Sequence, residues 1–212
     1  MIITYHGAEA FRIQFSDTVI AVNPPNKRSS VKGSRFGADI VLSSLNHDDM
    51  NGVDSIGVGE RQPTVIAGPG EYEIAGVFIR GFASESNYGG EKKINTIYMI
   101  DLEGMHLCFL GALSTSELPA ELRETIEHVD ILFVPIGGEG VLTPAEAAKV
   151  AVAIEPAIVI PMHYGDIGQS GALKQFIKEE GVDDVKPIDK LTIKKKDIEG
   201  KSGEVVVLGS AL

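Results

Sequence analysis

The chain has 212 residues, 43% hydrophobic and 23% charged, with a formal net charge of −11 and one cysteine. Such a chain can bury a globular core without disulfides. Its acidity disfavours nucleic acid as a partner, since backbone binding needs clustered cations. Cys108 has no second cysteine to pair with, so nothing points to an oxidising compartment.

In chain order, the first half reads as strands. MIITY, AFRIQF and TVIAV are short β-branched and aromatic runs divided by turn formers. ADIVLS is a continuous apolar run suited to a strand covered on both faces. PTVIAG, EYEIAGVFIRGF, KINTIYMIDL and MHLCFLG continue the pattern, and ESNYGGEKK reads as an exposed hairpin loop. Helices enter later. LPAELRETIEHV spaces Leu122, Ile126 and Val129 on one helical face. Thr143, Pro144 and Glu146 form an N-cap, a first-position proline and a capping-box partner. AIVIPMH reads as a buried strand. SGALKQFIKEEG reads as a helix with Ser170 as its cap and Gly181 as its stop. LTIKKK and EVVVLG are strand-like, and the cluster Lys194, Lys195 and Lys196 reads as solvated surface.

No run approaches the ~18 apolar residues of a membrane helix. The start of the chain lacks the basic and apolar regions of a signal peptide. The expectation is a single domain over 1–212, cytoplasmic, with no membrane and no nucleic acid partner.

Residues 42–52, LSSLNHDDMNG, crowd polar groups where a strand opens into a loop, a common setting for a metal or catalytic site. With YHGAEAFRI, AVNPP, GPGEYEIAGV, LCFLGALS and above all IPMHYG after the TPAEAA helix, this loop resembles the metallo-β-lactamase superfamily over nearly the whole chain. The lactonase-like branch, with its L-ascorbate-6-phosphate lactonases, is the most similar in these motifs. The resemblance implies an α+β fold, a four-layer αββα sandwich of two similar halves, with a metal site at one edge between the sheets. It also implies one or two divalent metals, usually zinc, that activate water.

Carried over position by position, the family's HxHxDH loop becomes Ser44, Asn46, Asp48 and Asp49. Phe109 and Ala112 fall where the HLGD His and Asp belong, and His163 matches the final His. Ala8 and Asn23 replace a His and an Asp that surround the site in the family. Ser44, Asn46, Phe109 and Ala112 are therefore vacated ligand positions. Asp48, Asp49 and His163 are left as a residual metal set, with Asp48 the catalytic candidate if the site is active.

Two readings follow. The first, favoured by the ligand count, is a non-catalytic or weakly active hydrolase homologue, a pseudoenzyme that binds a small molecule or serves assembly. In it the three residues form a metal-free polar cluster. The second is a mononuclear zinc or manganese hydrolase of a small ester, lactone or phosphorylated substrate. The relatives also imply a homo-oligomer. His47 lies in an x position of the motif and is expected to point away from the site, and His6 is expected to be structural. His106 and His128 are expected to be solvated or capping. Cys108 reads as a buried strand residue, Glu71, Tyr72 and Glu73 as a structural hairpin, and Gly137, Gly138 and Gly140 as a turn. A triad of Ser43 or Ser44 with His163 and Asp48 lacks the nucleophile-elbow pattern.

Overall fold

The computed structural model describes residues 1–56 and 62–211. The alternating apolar runs become two sheets packed face to face. In the first, β1 (Ile2–Tyr5), β2 (Phe11–Phe15) and β3 (Thr18–Val22) form an antiparallel meander. Then β4 (Ile40–Leu42) and β5 (Thr64–Ile66) add parallel strands. Later in the chain, β12 (Leu191–Thr192) pairs with the free edge of β1.

The second sheet begins with antiparallel β6 (Gly70–Ile74), β7 (Val77–Ser86), β8 (Lys93–Leu102) and β9 (Met105–Phe109). It continues in parallel through β10 (Ile131–Pro135), β11 (Ile158–Met162) and β13 (Glu204–Val205). Each sheet thus passes from an antiparallel part to a parallel part, the two similar halves that the resemblance implies.

The period of two in strand side chains sorts the core into layers. Ile20, Val22, Ile40 and Leu42 point inward and meet Tyr98, Leu107, Phe109 and Phe133 of the opposite sheet. Cys108, Leu132, Val134 and Val159 point outward from the second sheet. They pack on α1 (Ala120–Thr125), α2 (Pro144–Ile154) and α3 (Ala172–Glu179) through Leu122, Val150 and Phe176. Ala21 and Val41 point outward from the first sheet onto Ala38, Ile56 and Phe36. Among the described residues, this last layer is irregular chain with a single 3-10 turn over Val53–Ser55 in place of an α-helix. Pro24 and Pro25 followed by Gly33 and Gly37 oppose a helix there.

The TPAE signal holds. The Thr143 N–H donates to Glu146 Oε2 at 2.9 Å, and the Glu146 N–H donates back to Thr143 Oγ1 at 3.4 Å. Other expectations shift. EYEIAGVFIRGF splits into β6 and β7 at Ala75 and Gly76, whose φ of 52° and 77° make a tight hairpin turn of the primed kind. The helix expected to reach Val129 stops at Thr125, so Ile126 and Val129 lie beyond it. Gly171, with φ 79°, replaces Ser170 as the start of α3, with no side-chain cap.

LTIKKK is strand only over two residues. Its lysines are not all solvated, because Lys195 Nζ grips both oxygens of buried Asp130 at 2.9 and 2.8 Å. His128 Nε2 lies 2.7 Å from Asp130, and His106 Nδ1 lies 2.6 Å from Asp101, so both histidines are paired at that pole. No helix among the described residues is long and apolar enough to cross a membrane.

Candidate metal-edge site

Parallel strands deliver their C-terminal ends, and the loops that follow, to one edge of a sandwich. Here the β1–β2 turn, the ends of β3, β4, β9 and β11, and the β7–β8 hairpin converge. Ala8 (φ 51°), Asn23 (φ 46°), Glu139 (φ 54°) and His163 (φ 61°), none of them glycine, sit in the left-handed region at this edge. Each costs roughly 1–2 kcal/mol and persists only where surrounding contacts impose it. One such contact is direct: the His163 N–H donates to the Ala8 carbonyl at 2.6 Å, tying strained turns of the two sheets together.

Glu9 organises the interior of the site. One carboxylate oxygen lies 2.7 Å from His163 Nδ1, and the other accepts from Asn23 Nδ2 at 2.8 Å. Asn23 Nδ2 also donates to Ser44 Oγ at 2.8 Å, while Asn23 Oδ1 accepts the Ser44 N–H at 2.8 Å. Glu9, Asn23, Ser44 and His163 are all buried. A carboxylate only accepts, so Nδ1 of His163 carries a proton, and Nε2 is the ring nitrogen left over. That Nε2 is buried and has no hydrogen-bond partner.

Asn95, buried at the start of β8, braces the opposite wall. It donates to the Leu110 carbonyl and to Ser84 Oγ at 2.8 Å each, and accepts from the Ala112 N–H at 3.0 Å. Gly111, at φ 61°, fits only because it has no Cβ. A Cβ there would collide with Asn95 Oδ1 and come within 2.6 Å of Ser44 Oγ.

Asp48, Asp49 and His163 have separate partners. Asp48 turns outward and accepts from Asn26 Nδ2 at 2.8 Å and from the Arg28 guanidinium at 2.7 Å. The Asn26 hydrogen bond, with Arg28, holds its carboxyl below the usual range. Asp49 is buried, accepting from Ser29 Oγ on one oxygen and from the Tyr88 hydroxyl at 2.7 Å on the other. Tyr88 comes from the ESNYGGEKK loop, which is therefore not simply an exposed hairpin. Its ring meets the His163 ring edge-on at 4.7 Å and the His47 ring at 4.7 Å. Burial and the Asp49 hydrogen bond push the Tyr88 phenol well above its ordinary range. Among the described residues, no three His, Cys, Asp or Glu side chains are grouped so as to hold a metal ion.

The positions expected to be vacated divide as well. Ser44 joins the Glu9 network and makes no hydrogen bond to His163, so the Ser–His–Asp arrangement is not assembled. Asn46 is exposed and accepts from Asn51 at 2.8 Å. Phe109 lies in the inner core against Phe11 and Phe133, at 6.1 and 5.7 Å. Ala112 packs with Leu45, Met50 and Val141. His47 faces the site through Tyr88, against the expectation that it points away. His6 is buried and stacked on Phe36 at 4.8 Å, with both ring nitrogens unpartnered. Burial, then Arg12, lowers its pKa to about 4. Burial pushes the Cys108 thiol up to about 12, consistent with an inert strand residue. Gly137 lies so close to the His163 carbonyl that a Cβ would collide with it, so this glycine turn supports β11.

Residues 2–163 match the family model described as Beta-lactamase superfamily domain. The chain belongs to the beta-lactamase superfamily. Its superfamily relatives include a "UPF0173 metal-dependent hydrolase" of Bacillus cytotoxicus, 26% identical over 198 residues, covering 77% of this chain and 86% of the relative. A protein of the same name from Thermococcus kodakarensis is 27% identical over 189 residues, covering 76% and 84%. Among solved structures, a Thermotoga maritima protein described as a zn-dependent hydrolase of the metallo-beta-lactamase superfamily superposes with a TM-score of 0.70. It is 25% identical, with 98% of this chain and 97% of that chain covered. Igni18, a metallo hydrolase of Ignicoccus hospitalis, has a TM-score of 0.64 at 20% identity, covering 91% and 99%, and supports the superfamily fold.

Glu9, Asn95 and Tyr88 were not among the sequence candidates. Glu9 had one signal: it is the only charged residue in YHGAEAF.

Proposed function

We propose that this chain is a superfamily member that no longer carries out metal-assisted hydrolysis and keeps the fold as a small-molecule-binding protein. The observation that carries this reading is Tyr88. Its hydroxyl occupies Asp49, and its ring fills the space between Asp49 and His163. The residues do not fit a dinuclear zinc centre, which takes imidazole, thiolate and carboxylate donors in closed geometry. Ser44 is bound to Asn23, Asn46 faces solvent, Phe109 is core, and Ala112 has no donor atom. No step through a metal is derived.

The ligand would be a small anion. Segment 24–38 runs along this edge, from Asn26 and Ser29 beside Asp48 and Asp49 to Phe36 on His6. It carries Lys27 and Arg28, which pair with Asp54 and Asp48, and also Lys32 and Arg35, within an acidic chain. Such a patch concentrates anions locally.

One specific observation favours the second reading, a mononuclear hydrolase at Asp48, Asp49 and His163 acting on a small ester, lactone or phosphorylated substrate. His163 has Nδ1 on a carboxylate and Nε2 free, as metal-ligating histidines do. Metal content separates the two. Untagged protein supplied with zinc or manganese and then dialysed should retain far less than one ion per chain. It should hydrolyse esters, lactones and phosphoesters no faster than a His163→Ala variant. One retained ion, lost on Asp49→Ala and His163→Ala substitution, would establish the second reading. Inorganic phosphate should raise the melting temperature of the wild type by mass action, and should not raise that of a Lys32→Ala/Arg35→Ala variant.

A further inference from the structure

Outside the metal edge, α3 and the chain that leaves it enclose a groove that no side chain fills. We infer that this groove binds a medium-chain alkyl carboxylate, its tail among apolar side chains and its head between Lys174 and Lys178.

Local structure makes the groove. Gly181, at φ 68°, ends α3. Its N–H donates to the Lys178 carbonyl at 3.1 Å, and the Val182 N–H donates to the Ile177 carbonyl at 3.2 Å. This pair of bonds is a Schellman turn, which reverses the chain at a helix end. Residues 182–187 thus form a second wall facing α3, and the space between holds about 760 Å³, within the range of small-molecule sites. Leu173, Ile177 and Val185 make its floor. They cover the outer core yet stay only half-buried. Val182 on the wall is 39% exposed. At Leu173 and Pro187 the groove meets a further cavity of about 220 Å³ beside Tyr164 and Leu208, which lengthens the apolar path.

The charges give the groove a direction. Lys174 and Lys178 line it one helical turn apart, so both ammonium groups can reach one head while their stems lie along the apolar floor. Neither lysine holds an ion pair among the described residues. Asp166 lines the further cavity, so the carboxylate belongs at the lysine end and the methyl end toward Tyr164. Asp183 and Asp184 line the facing wall, so an alkylammonium is the control that decides the sign of the head.

The test is calorimetric titration of the full chain with decanoate, decanol and decylammonium, with amide chemical shifts to locate the site. Decanoate should bind once per chain. It should bind more tightly than octanoate by up to about fourfold for each added methylene. Lys174→Ala/Lys178→Ala should weaken decanoate by roughly two- to thirtyfold, as for two exposed ion pairs, and leave decanol unchanged. Val182→Asp should weaken both, and Val182→Ser serves if that chain fails to fold by circular dichroism. The amides of Ile177, Val182 and Val185 should shift on binding. No saturation by about 1 mM decanoate, tighter binding of decylammonium, equal decanoate affinity in the lysine variant, or shifts confined to residues outside the groove would each overturn the inference. So would a wild-type dimer that Val182→Asp dissociates, since a second copy would then occupy the groove.

Discussion

Replacing Glu9 by Gln changes one oxygen to an NH₂ in a site with no room for an extra donor. Glu9 is fully buried, and its two oxygens face His163 Nδ1 at 2.7 Å and Asn23 Nδ2 at 2.8 Å. Asn23 cannot flip to offer its oxygen, because that oxygen already holds the Ser44 N–H at 2.8 Å. If the new NH₂ faces Asn23, two donors oppose each other. If it faces His163, the imidazole proton must move to Nε2, which has no partner. Either way one buried donor is left unsatisfied, at about 1–3 kcal/mol. Glu9→Ala removes both acceptors and should cost about 3–5 kcal/mol, as for a broken buried pair. For a domain of this size ~1 kcal/mol corresponds to roughly 2–4 °C. The glutamine variant should therefore melt about 2–12 °C lower and the alanine variant about 6–20 °C lower. Urea unfolding at pH 7, with the m-value checked for constancy, measures the same loss independently. A Glu9→Gln chain within about 0.5 kcal/mol of wild type, the range of ordinary surface substitutions, would refute the network as described.

The other expectations are shorter. His6 is neutral in the fold because burial and Arg12 lower its pKa to about 4. The unfolded chain takes up a proton near pH 6.5, so stability present above that pH should fall as pH drops toward 4. The full shift corresponds to about 3 kcal/mol, and screening leaves about 2 kcal/mol. Urea midpoints at pH 7 and pH 5 should diverge in wild type and converge in His6→Phe; an unchanged slope in the variant would assign the effect elsewhere. Gly111→Ala should cost more than about 2 kcal/mol, because its Cβ collides with Asn95 and crowds Ser44. A thermal melt within a degree of wild type would show that the strand end relaxes freely.

Much of the scaffold was legible because its signals are local. The β-branched and aromatic runs TVIAV and KINTIYMIDL mark strands that become largely buried on both faces, and TPAE sets the start of α2 through bonds within four residues. His163 was legible through its motif, and the structure gives its surroundings. Asp48 and Asp49 were legible as polar, but their separation was not. Adjacent residues in an irregular loop point apart, and their partners Arg28, Ser29 and Tyr88 lie 20 to 39 positions away. Tyr88 was obscured for the opposite reason. It sits among Asn, Gly, Glu and Lys, a composition that signals solvent, and only the crossing of the hairpin over the Ser43–Asn51 loop buries its ring. Phe109 illustrates the limit of motif register: one step of strand alternation decides whether a residue enters the core or the site.

The residues at this edge depend on one another, which makes single substitutions informative. The Asn23 NH₂ bridges Glu9 and Ser44. Asn23→Asp would bring two carboxylates to the 2.8 Å that now separates a donor from an acceptor. At an effective dielectric of about 20 that repulsion amounts to roughly 6 kcal/mol, so one of the two acids must hold a proton instead. The folded variant then binds a proton that the unfolded chain releases near pH 4. Its deficit should be small in acid and grow as pH rises from about 4 to 7, the reverse of the His6 effect. Adding Glu9→Gln removes one charge and supplies a donor, so the double variant should recover more than about 1 kcal/mol relative to the sum of the single losses. Urea unfolding of the four chains at pH 5 and pH 7 measures that coupling. Additive losses with no pH dependence would mean that Glu9 and Asn23 do not share a site. Coupling of the expected sign would mean that Glu9 itself excludes an acid at position 23, and that Asn23 and Glu9 hold this edge in a stable fold only as a pair.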